Sequence, residues 1–196
     1  MKKFAIILTN IVLKILFRVE IINSHKIPLG GPALLCANHN NMLDMFFLGF
    51  KLDRWIYWMA KEELFKNPIS GFIFRNLGAF PVKRGAGDVG SIKGAYKLLN
   101  ENKIVGIFPQ GTRIDPSKLD TLKVKSGAAM IAVNAGVPII PATVQGSYKL
   151  FSKMRVIYGD PFMIQNEQDK KYTKEDLSQL SRDILKRVYL LAEGEL

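Results

Sequence analysis

The segment Ala33–Asp44 constrains the fold more than any other stretch of this chain. Its first part, Ala33–Ala37, is a short apolar run that follows Gly30-Gly31-Pro32 and is typical of a buried strand. Residues 42–50 then have the apolar character of a helix. Because the polar residues 38–41 lie between these two parts, the sequence predicts a strand, a turn and a helix in direct succession.

One of the two histidines of the chain, His39, lies in this turn, and Asp44 follows five residues later. On one continuous helix two such residues point about 140° apart, whereas a turn can fold His39 back onto Asp44. A carboxylate in that position holds one ring nitrogen and leaves the other available as a base. A structural histidine beside an aspartate at a helix start explains the pair equally well, so the residues alone leave both interpretations open.

The charge of the chain indicates an anionic partner. Its 28 Lys and Arg residues against 17 Asp and Glu residues give a formal net charge of +11, which suits nucleic acid, an anionic membrane surface or a phosphorylated substrate. The length of 196 residues and the hydrophobic content of 48% predict one compact domain. The single cysteine, Cys36, excludes an internal disulfide, and we expect it to fill the strand interior rather than to act as a nucleophile.

Residues 1–18 predict an amphipathic helix that lies in a membrane interface. Lys14 and Arg18 interrupt the apolar run before the roughly 20 residues that a membrane span needs, and no small-residue cleavage site follows it. The polar positions fall within a helical sector of about 80°, and they are Lys3, Asn10, Lys14 and Arg18. We expect these cations to face the lipid head groups. The alternative is a helix buried against the domain with one exposed stripe.

Strands and helices alternate along the rest of the chain. Strands are predicted at residues 19–22, 55–59, 78–84, 104–108, 136–144 and 155–158, the last as an edge strand. Helices are predicted at residues 69–77, 91–100, 128–135 and 173–191, the last with an approximate capping box at its start. This alternation predicts a single-domain αβα sandwich of the α/β class, with a mostly parallel or mixed sheet flanked by helices.

The turn at residues 85–90 matches the dinucleotide-binding pattern G-x-G-x-x-G ahead of a predicted helix. The acidic residue expected about 20 positions further on is missing, because residues 104–108 are apolar. Asp88 as a helix N-cap explains the same residues more simply. We therefore expect no dinucleotide cofactor.

Four separated stretches occur in an order that resembles the glycerolipid acyltransferases, the family that contains 1-acylglycerol-3-phosphate acyltransferase. They are Asn38-His39 with Asp44, Gly78–Arg84, Phe108–Arg113 and Val137–Pro141. The segments at residues 60–65 and 125–129 are similar to the family as well, and the resemblance extends over roughly residues 18–160. Together with the interfacial helix predicted above for residues 1–18, it predicts an acyltransferase domain at residues 19–196.

The resemblance also implies roles for individual residues. His39 is the general base that takes a proton from the acceptor hydroxyl, Asp44 orients its imidazole, and the hydroxyl attacks an acyl thioester. The acceptor phosphate is assigned to residues of several stretches: Lys61, Lys83, Arg84, Gly111, Thr112 and Arg113. The supporting motif positions are Asn38, Gln110, Pro138 and Pro141. No metal and no cofactor are implied, and the co-substrate is acyl-ACP or acyl-CoA.

Two positions depart from the usual pattern of the family. Asn41 stands where serine is frequent, and asparagine caps a helix start about as well as serine. Gln110 stands where glutamate is usual, and it removes a negative charge beside Arg113. This exchange is expected to change either the affinity of the site for phosphate or the orientation of the Arg113 side chain.

The expected function is acyl transfer to lysophosphatidic acid, giving phosphatidic acid, by a peripheral or monotopic protein on the cytoplasmic face of the cell membrane. No nucleic-acid partner is expected, since such binding would account only for the charge. The first alternative is the same chemistry on another lysolipid or a glycolipid. The others are a hydrolase that uses Cys36 with His39, which the opposite directions of residues three apart on a strand disfavour, and a non-catalytic protein that binds anionic membranes.

Overall fold

The computed structural model of the chain describes residues 2–83, 89–112, 124–165 and 171–194. Within these residues, seven strands form one sheet: β1 (Arg18–Ile22), β2 (Ala33–Ala37), β3 (Ile56–Lys61), β4 (Phe80–Val82), β5 (Ile104–Ile107), β6 (Ile139–Gly146) and β7 (Lys153–Tyr158). The α-helices of the same ranges are α1 (Lys2–Leu16), α2 (Asp44–Phe47), α3 (Pro68–Asn76), α4 (Val89–Asn100), α5 (Gly127–Ala135) and α6 (Lys174–Glu193). Two short 3-10 helices lie at Ser24–Lys26 and Glu62–Phe65.

The strand order across the sheet is β1-β7-β6-β2-β5-β3-β4. Every pair of neighbours runs parallel except β6 and β7, which are antiparallel. Parallel neighbours need a crossover connection, usually a helix, and the alternating helices of this chain supply it. The prediction of an α/β sandwich with a mostly parallel sheet flanked by helices is confirmed.

Strand β2 lies inside the sheet between β6 and β5, and its five side chains are fully buried. Its residues alternate between two cores. Ala33, Leu35 and Ala37 pack with residues of α1 and α2 on one face, whereas Leu34 and Cys36 pack with residues of α4, α5 and α6 on the other. Because β2 is buried on both faces, its sequence is a continuous apolar run. The same burial holds the strand in place, so the turn that follows it has a defined position at the carboxyl edge of the sheet.

The prediction that residues 155–158 form an edge strand is wrong. Strand β7 lies between β1 and β6, so β1 forms that edge. The carboxylate of Glu20 on β1 forms ion pairs across the two strands, with Lys153 at 2.9 Å and Arg155 at 3.3 Å. Because β1 and β7 are far apart in the chain, the local pattern of β7 could not reveal its second neighbour.

The helix expected over residues 42–50 is shorter than predicted, since α2 spans only Asp44–Phe47. The side-chain oxygen of Asn41 accepts a hydrogen bond of 3.1 Å from the N–H of Leu43, so Asn41 stabilises the turn before the helix and does not cap it. Beyond α2 the chain turns away, because Lys51 takes a left-handed φ of 54°.

The predicted start of the last helix is confirmed. The Thr173 side chain accepts a hydrogen bond from the N–H of Asp176 at 3.1 Å, and the Asp176 carboxylate accepts one from the N–H of Thr173 at 2.9 Å. These two bonds form the capping box expected at this end of α6. The glycine-rich turn with Asp88, the other predicted helix start, lies outside the described residues.

Helix α1 packs one stripe against the domain and exposes much of its apolar surface. Leu13 and the adjoining Phe17 are buried, and the Asn10 side chain accepts a hydrogen bond of 3.2 Å from the N–H of Lys51. Asn10 therefore faces the domain, and Arg18 belongs to β1 because α1 ends at Leu16. The prediction that both residues lie on the polar stripe of a helix over residues 1–18 is wrong. The large apolar side chains exposed on the helix are Phe4, Ile7, Leu8, Ile11, Val12 and Ile15. Among the described residues, no helix is both long and apolar enough to cross a bilayer.

Candidate active site

Asn38 stabilises the turn that follows β2 through two hydrogen bonds of its side chain. Its side-chain amide donates a hydrogen bond of 2.9 Å to the Val144 carbonyl, and its oxygen accepts one of 2.8 Å from the Val144 N–H. The side chain is buried, and these bonds continue the pairing of β2 with β6 past the last strand residue. The first turn residue is thereby fixed at the carboxyl edge, where ligands of open α/β sheets bind.

The next turn residue, His39, is folded back onto Asp44 as the strand–turn–helix pattern predicts. The distance from His39 Nδ1 to Asp44 Oδ2 is 3.0 Å. The same Oδ2 accepts hydrogen bonds from the N–H groups of Asn40 at 2.7 Å and Asn41 at 2.8 Å. Asp44 has no exposed surface, and a buried carboxylate needs such donors. The turn and the start of α2 thus form one site around the carboxylate.

The other oxygen of Asp44, Oδ1, accepts a hydrogen bond from the hydroxyl of Tyr148. Tyr148 lies 104 residues away in the loop between β6 and β7. The sequence analysis did not identify this residue. No local pattern around Tyr148 indicates it, because the contact depends on the position of β6 beside β2.

The arrangement of donors sets the protonation of the His39 ring. Since an ionised carboxylate only accepts hydrogen bonds, Nδ1 carries the proton directed at Asp44, and Nε2 keeps its lone pair. Among the described residues, none forms a hydrogen bond with Nε2. The side chain keeps 16% of its surface exposed, so the imidazole is not sealed inside the core.

The imidazole of His39 is the outer ring of a stack of three aromatic side chains. The Phe108 ring stacks on the imidazole with centroids 4.1 Å apart and planes at 14°, and the Trp58 ring stacks on Phe108 at 4.8 Å and 13°. Gly106 makes room for Trp58, because a Cβ at Gly106 would lie 2.5 Å from the Trp58 ring. The stack holds the imidazole plane, and its signal in the sequence is one aromatic residue within β3 and another directly after β5.

Gln110 is part of the support of His39. Its side-chain oxygen accepts a hydrogen bond from the His39 N–H, and its amide donates one of 3.0 Å to the Tyr189 hydroxyl on α6. Only 2% of the residue is exposed. Gln110 therefore links three parts of the chain: the loop after β5, the turn that carries His39, and α6. Tyr189 is a further residue that the sequence analysis did not identify.

The described candidates for phosphate binding lie at the same edge of the sheet. Lys61 ends β3 opposite Val82 of β4, and Lys83 follows β4. The ammonium of Lys61 lies 3.0 Å from the Glu63 carboxylate, and that of Lys83 lies 3.8 Å from the Glu62 carboxylate. All four side chains are exposed. Both lysines can therefore exchange a carboxylate for a phosphate without uncovering buried charge.

The turn after β5 provides the other described candidates. The Gly111 N–H donates to the Phe108 carbonyl at 2.9 Å, and Gly111 takes a left-handed φ of 67°, which favours glycine. Thr112 is exposed beside it, and the methylene groups of Lys125 lie against Gly111. The predicted phosphate ligands Arg84 and Arg113 lie outside the described residues.

Pro138 and Pro141 lie within the strand pairing of β6. The Pro138 carbonyl accepts a hydrogen bond of 2.9 Å from the N–H of Leu34, at the amino ends of β6 and β2. Pro141 is in register with Cys36, and its carbonyl accepts one of 2.8 Å from the N–H of Gly159. Pro138 is therefore at the opposite end of β2 from His39, and both prolines contribute to the shape of the sheet.

The geometry of Cys36 disfavours a role as nucleophile. The side chain is fully buried in the core beneath α4, α5 and α6, and burial raises the pKa of the Cys36 thiol. A reactive cysteine needs the thiolate and access for the substrate. The expectation that Cys36 fills the strand interior is confirmed.

Comparison with known proteins identifies the family. Residues 18–145 match the family model described as "Acyltransferase". The chain is 35% identical over 167 residues to the 1-acyl-sn-glycerol-3-phosphate acyltransferase of Bacillus subtilis, a match that covers 82% of each chain. It is 35% identical over 151 residues to the protein of that name from Streptococcus pneumoniae, with 72% of this chain and 54% of that one covered. The chain belongs to the acyltransferase family.

A solved structure agrees with this assignment. The crystal structure of the 1-acyl-sn-glycerophosphate (LPA) acyltransferase from Thermotoga maritima matches with a TM-score of 0.69 and 25% sequence identity. The match covers 97% of this chain and 81% of the other. The family resemblance and the fold expected from the sequence are both confirmed.

Proposed function

We propose that this enzyme transfers a fatty acyl group from an acyl thioester to the free hydroxyl of 1-acylglycerol-3-phosphate, giving phosphatidic acid. The observation that carries the proposal is the contact of 3.0 Å between His39 Nδ1 and the buried Asp44 carboxylate, which leaves Nε2 available as a base. The names of the Bacillus subtilis and Streptococcus pneumoniae relatives support the acceptor. The proposed donors are acyl-ACP and acyl-CoA.

In the proposed reaction, His39 Nε2 takes the proton of the acceptor hydroxyl as its oxygen attacks the thioester carbonyl carbon. The new C–O ester bond forms, the C–S bond breaks, and the leaving thiolate recovers the proton from His39. The Asp44 carboxylate stabilises the imidazolium that exists between these steps. Each step uses only protein residues and the two substrates, so no metal or further cofactor is required.

The proposed phosphate site combines the cations and the turn at the carboxyl edge. Its described members are Lys61, Lys83, Gly111 and Thr112. The family resemblance adds Arg84 and Arg113, which lie outside the described residues. The turn with the left-handed Gly111 places the exposed Thr112 at this edge, where its hydroxyl can donate to a phosphate. The net charge of +11 attracts an anionic acceptor and an anionic bilayer alike. Pro138 and Pro141 supply shape rather than charge.

We propose peripheral association with the cytoplasmic face of the cell membrane, with α1 as the interfacial helix and the acyltransferase domain beginning at β1, since Arg18 is the first residue of that strand. The exposed apolar surface of α1 supports this proposal. Helix α3 adds three exposed apolar side chains on one face: Ile69, Phe72 and Ile73. Exposed Lys66 and Arg75 flank them, and such cations favour an anionic bilayer.

The test is a matrix of donors and acceptors with the purified protein. Acyl-CoA and acyl-ACP are each combined with lysophosphatidic acid in vesicles, with a neutral lysolipid and with a glycolipid, and each combination is repeated with His39→Ala. We expect ester formation with lysophosphatidic acid, lost in His39→Ala by at least the factor of about 10²–10⁴ typical of a general base. Preference for an unphosphorylated acceptor, thioester hydrolysis alone, or full activity of His39→Ala would each reject the proposal.

A further inference from the structure

Asp44 is held at both carboxylate oxygens, and Tyr148 holds the one that His39 does not contact. Oδ2 receives the bonds from the His39 ring and from the turn, whereas Oδ1 accepts its hydrogen bond from the Tyr148 hydroxyl. A carboxylate fixed only through Oδ2 can still rotate about its χ2 angle, because sp³–sp² torsions are soft. The bond to Oδ1 removes this freedom.

The Tyr148 side chain is held so that its hydroxyl points at Asp44. Its ring packs edge-on against Phe47 of α2, with ring centroids 6.1 Å apart. Burial, with the negative charge of Asp44 beside it, raises the pKa of the Tyr148 hydroxyl. The phenol therefore stays protonated and acts as a donor over the pH range in which enzymes work.

The backbone of Tyr148 is unusual as well. It has a φ of 54°, in the left-handed region that an aromatic residue rarely adopts. Residues in such unfavourable conformations persist where the surrounding structure holds them, and they cluster at functional sites. Here the left-handed residue is the one whose side chain reaches the carboxylate, so the loop between β6 and β7 keeps an unfavourable conformation at this contact.

We propose that Tyr148 is a positioning residue of the acyl-transfer reaction, which fixes the Asp44 carboxylate so that Oδ2 stays directed at His39 Nδ1. This proposal rests on the function proposed above. Tyr148 acts through Asp44, so its loss lowers the fraction of enzyme in which Nε2 is the unprotonated nitrogen. Binding of both substrates is left unchanged.

The first experiment compares Tyr148→Phe with Tyr158→Phe. Tyr158 also buries a hydroxyl that donates one hydrogen bond, of 2.7 Å to the Leu48 carbonyl, and its bond does not involve Asp44. We expect Tyr148→Phe to lower kcat about 10-fold, with KM for both substrates within a factor of two. Tyr158→Phe is expected to lower Tm and to leave kcat unchanged.

The second experiment does not depend on turnover. The chain has only two histidines, so ¹⁵N-histidine labelling followed by NMR resolves His39 from His25, with His25→Gln assigning the signals. In the parent protein we expect His39 mainly as the tautomer protonated at Nδ1. In Tyr148→Phe we expect a measurable shift toward the Nε2-protonated form, and in Tyr158→Phe we expect none.

Two results would overturn the proposal. One is an unchanged tautomer of His39 in a folded Tyr148→Phe protein, and the other is an equal loss of kcat in both tyrosine variants. If the parent protein instead fails to acylate lysophosphatidic acid while Tyr148→Phe still shifts the tautomer, the proposed function fails and the positioning role of Tyr148 stands.

Discussion

The carboxyl edge of the sheet holds two sites that are built in opposite ways. At the end of β2, the Asp44 carboxylate has no exposed surface and accepts hydrogen bonds from His39, two backbone N–H groups and Tyr148. At the ends of β3 and β4, the cations of Lys61 and Lys83 are exposed, and they form ion pairs with the exposed carboxylates of Glu63 and Glu62.

The difference matches the roles proposed for the two sites. Proton transfer depends on the position and angle of a base within fractions of an ångström, so the residues around His39 are fixed by buried bonds. Attraction of a phosphate acts over several ångströms and tolerates movement of the side chain, so exposed cations are sufficient. Substitutions at the two sites should therefore differ in size, in kinetic signature and in response to salt.

The largest effect is expected from Asp44→Asn. The amide keeps the size of the side chain, and its oxygen can still accept the N–H groups of Asn40 and Asn41. It removes, however, the negative charge that stabilises the His39 imidazolium during proton transfer. We expect kcat to fall by about 10³-fold or more while KM changes little. The measurement is steady-state kinetics of ester formation, with the exposed Asp53→Asn as control. A loss confined to KM would contradict the assignment of Asp44 to the catalytic pair.

Substitutions of Gln110 test whether His39 needs the hydrogen bond from its backbone N–H to the Gln110 side chain. Gln110→Leu removes the acceptor of the His39 N–H and the donor to Tyr189, and we expect kcat to fall about 10-fold or more. Gln110→Glu keeps an acceptor for His39, and the Tyr189 hydroxyl can rotate to donate to the second oxygen. We expect its kcat within a few-fold of the parent value, with similar Tm. A loss in Gln110→Glu as large as in Gln110→Leu would show that the neutral amide itself is needed.

The pair of His39 and Asp44 was predictable from the sequence because the signals for it are local. An apolar strand, a polar turn and an apolar helix start within twelve residues, and the structure has them in that order at Ala33–Asp44. The supports were not predictable in this way. Tyr148 contacts Asp44 across 104 residues, and Tyr189 contacts Gln110 across 79. Such contacts depend on strand order, which the pattern of single strands does not contain.

Gln110 itself illustrates the same limit. The family pattern located the residue and marked it as a departure, but it suggested Arg113 as the group affected. The structure directs the side chain to the His39 N–H and to Tyr189, and Arg113 lies outside the described residues. A side chain with two polar ends can serve several neighbours, and only the packing of α6 against the sheet decides among them. The placement of β7 inside the sheet escaped the sequence analysis for the same reason.

The exposed lysines should give a smaller and salt-dependent effect. For Lys61→Ala and Lys83→Ala we expect KM for lysophosphatidic acid to rise about 2- to 5-fold, as for the loss of an exposed charge contact worth up to about 1 kcal/mol. We expect kcat to change little. The effect should shrink at high ionic strength and with an unphosphorylated acceptor. Lys186→Ala, an exposed lysine on α6, is the control. An equal rise in KM for both acceptors would remove these lysines from the phosphate site.

The smallest effect on catalysis is expected at Cys36, which lies three residues before His39 but points into the opposite core from Ala37. Cys36→Ala should leave kcat and KM within a factor of two, since no polar group of the site contacts the thiol. We expect the free energy of unfolding to fall by about 1 kcal/mol, because the substitution leaves a small void. In the parent protein, iodoacetamide should modify Cys36 only after denaturation. Loss of turnover in a folded Cys36→Ala protein would show that catalysis depends on a core residue of β2. It would then contradict the view that the residues needed for catalysis begin only at the turn after this strand.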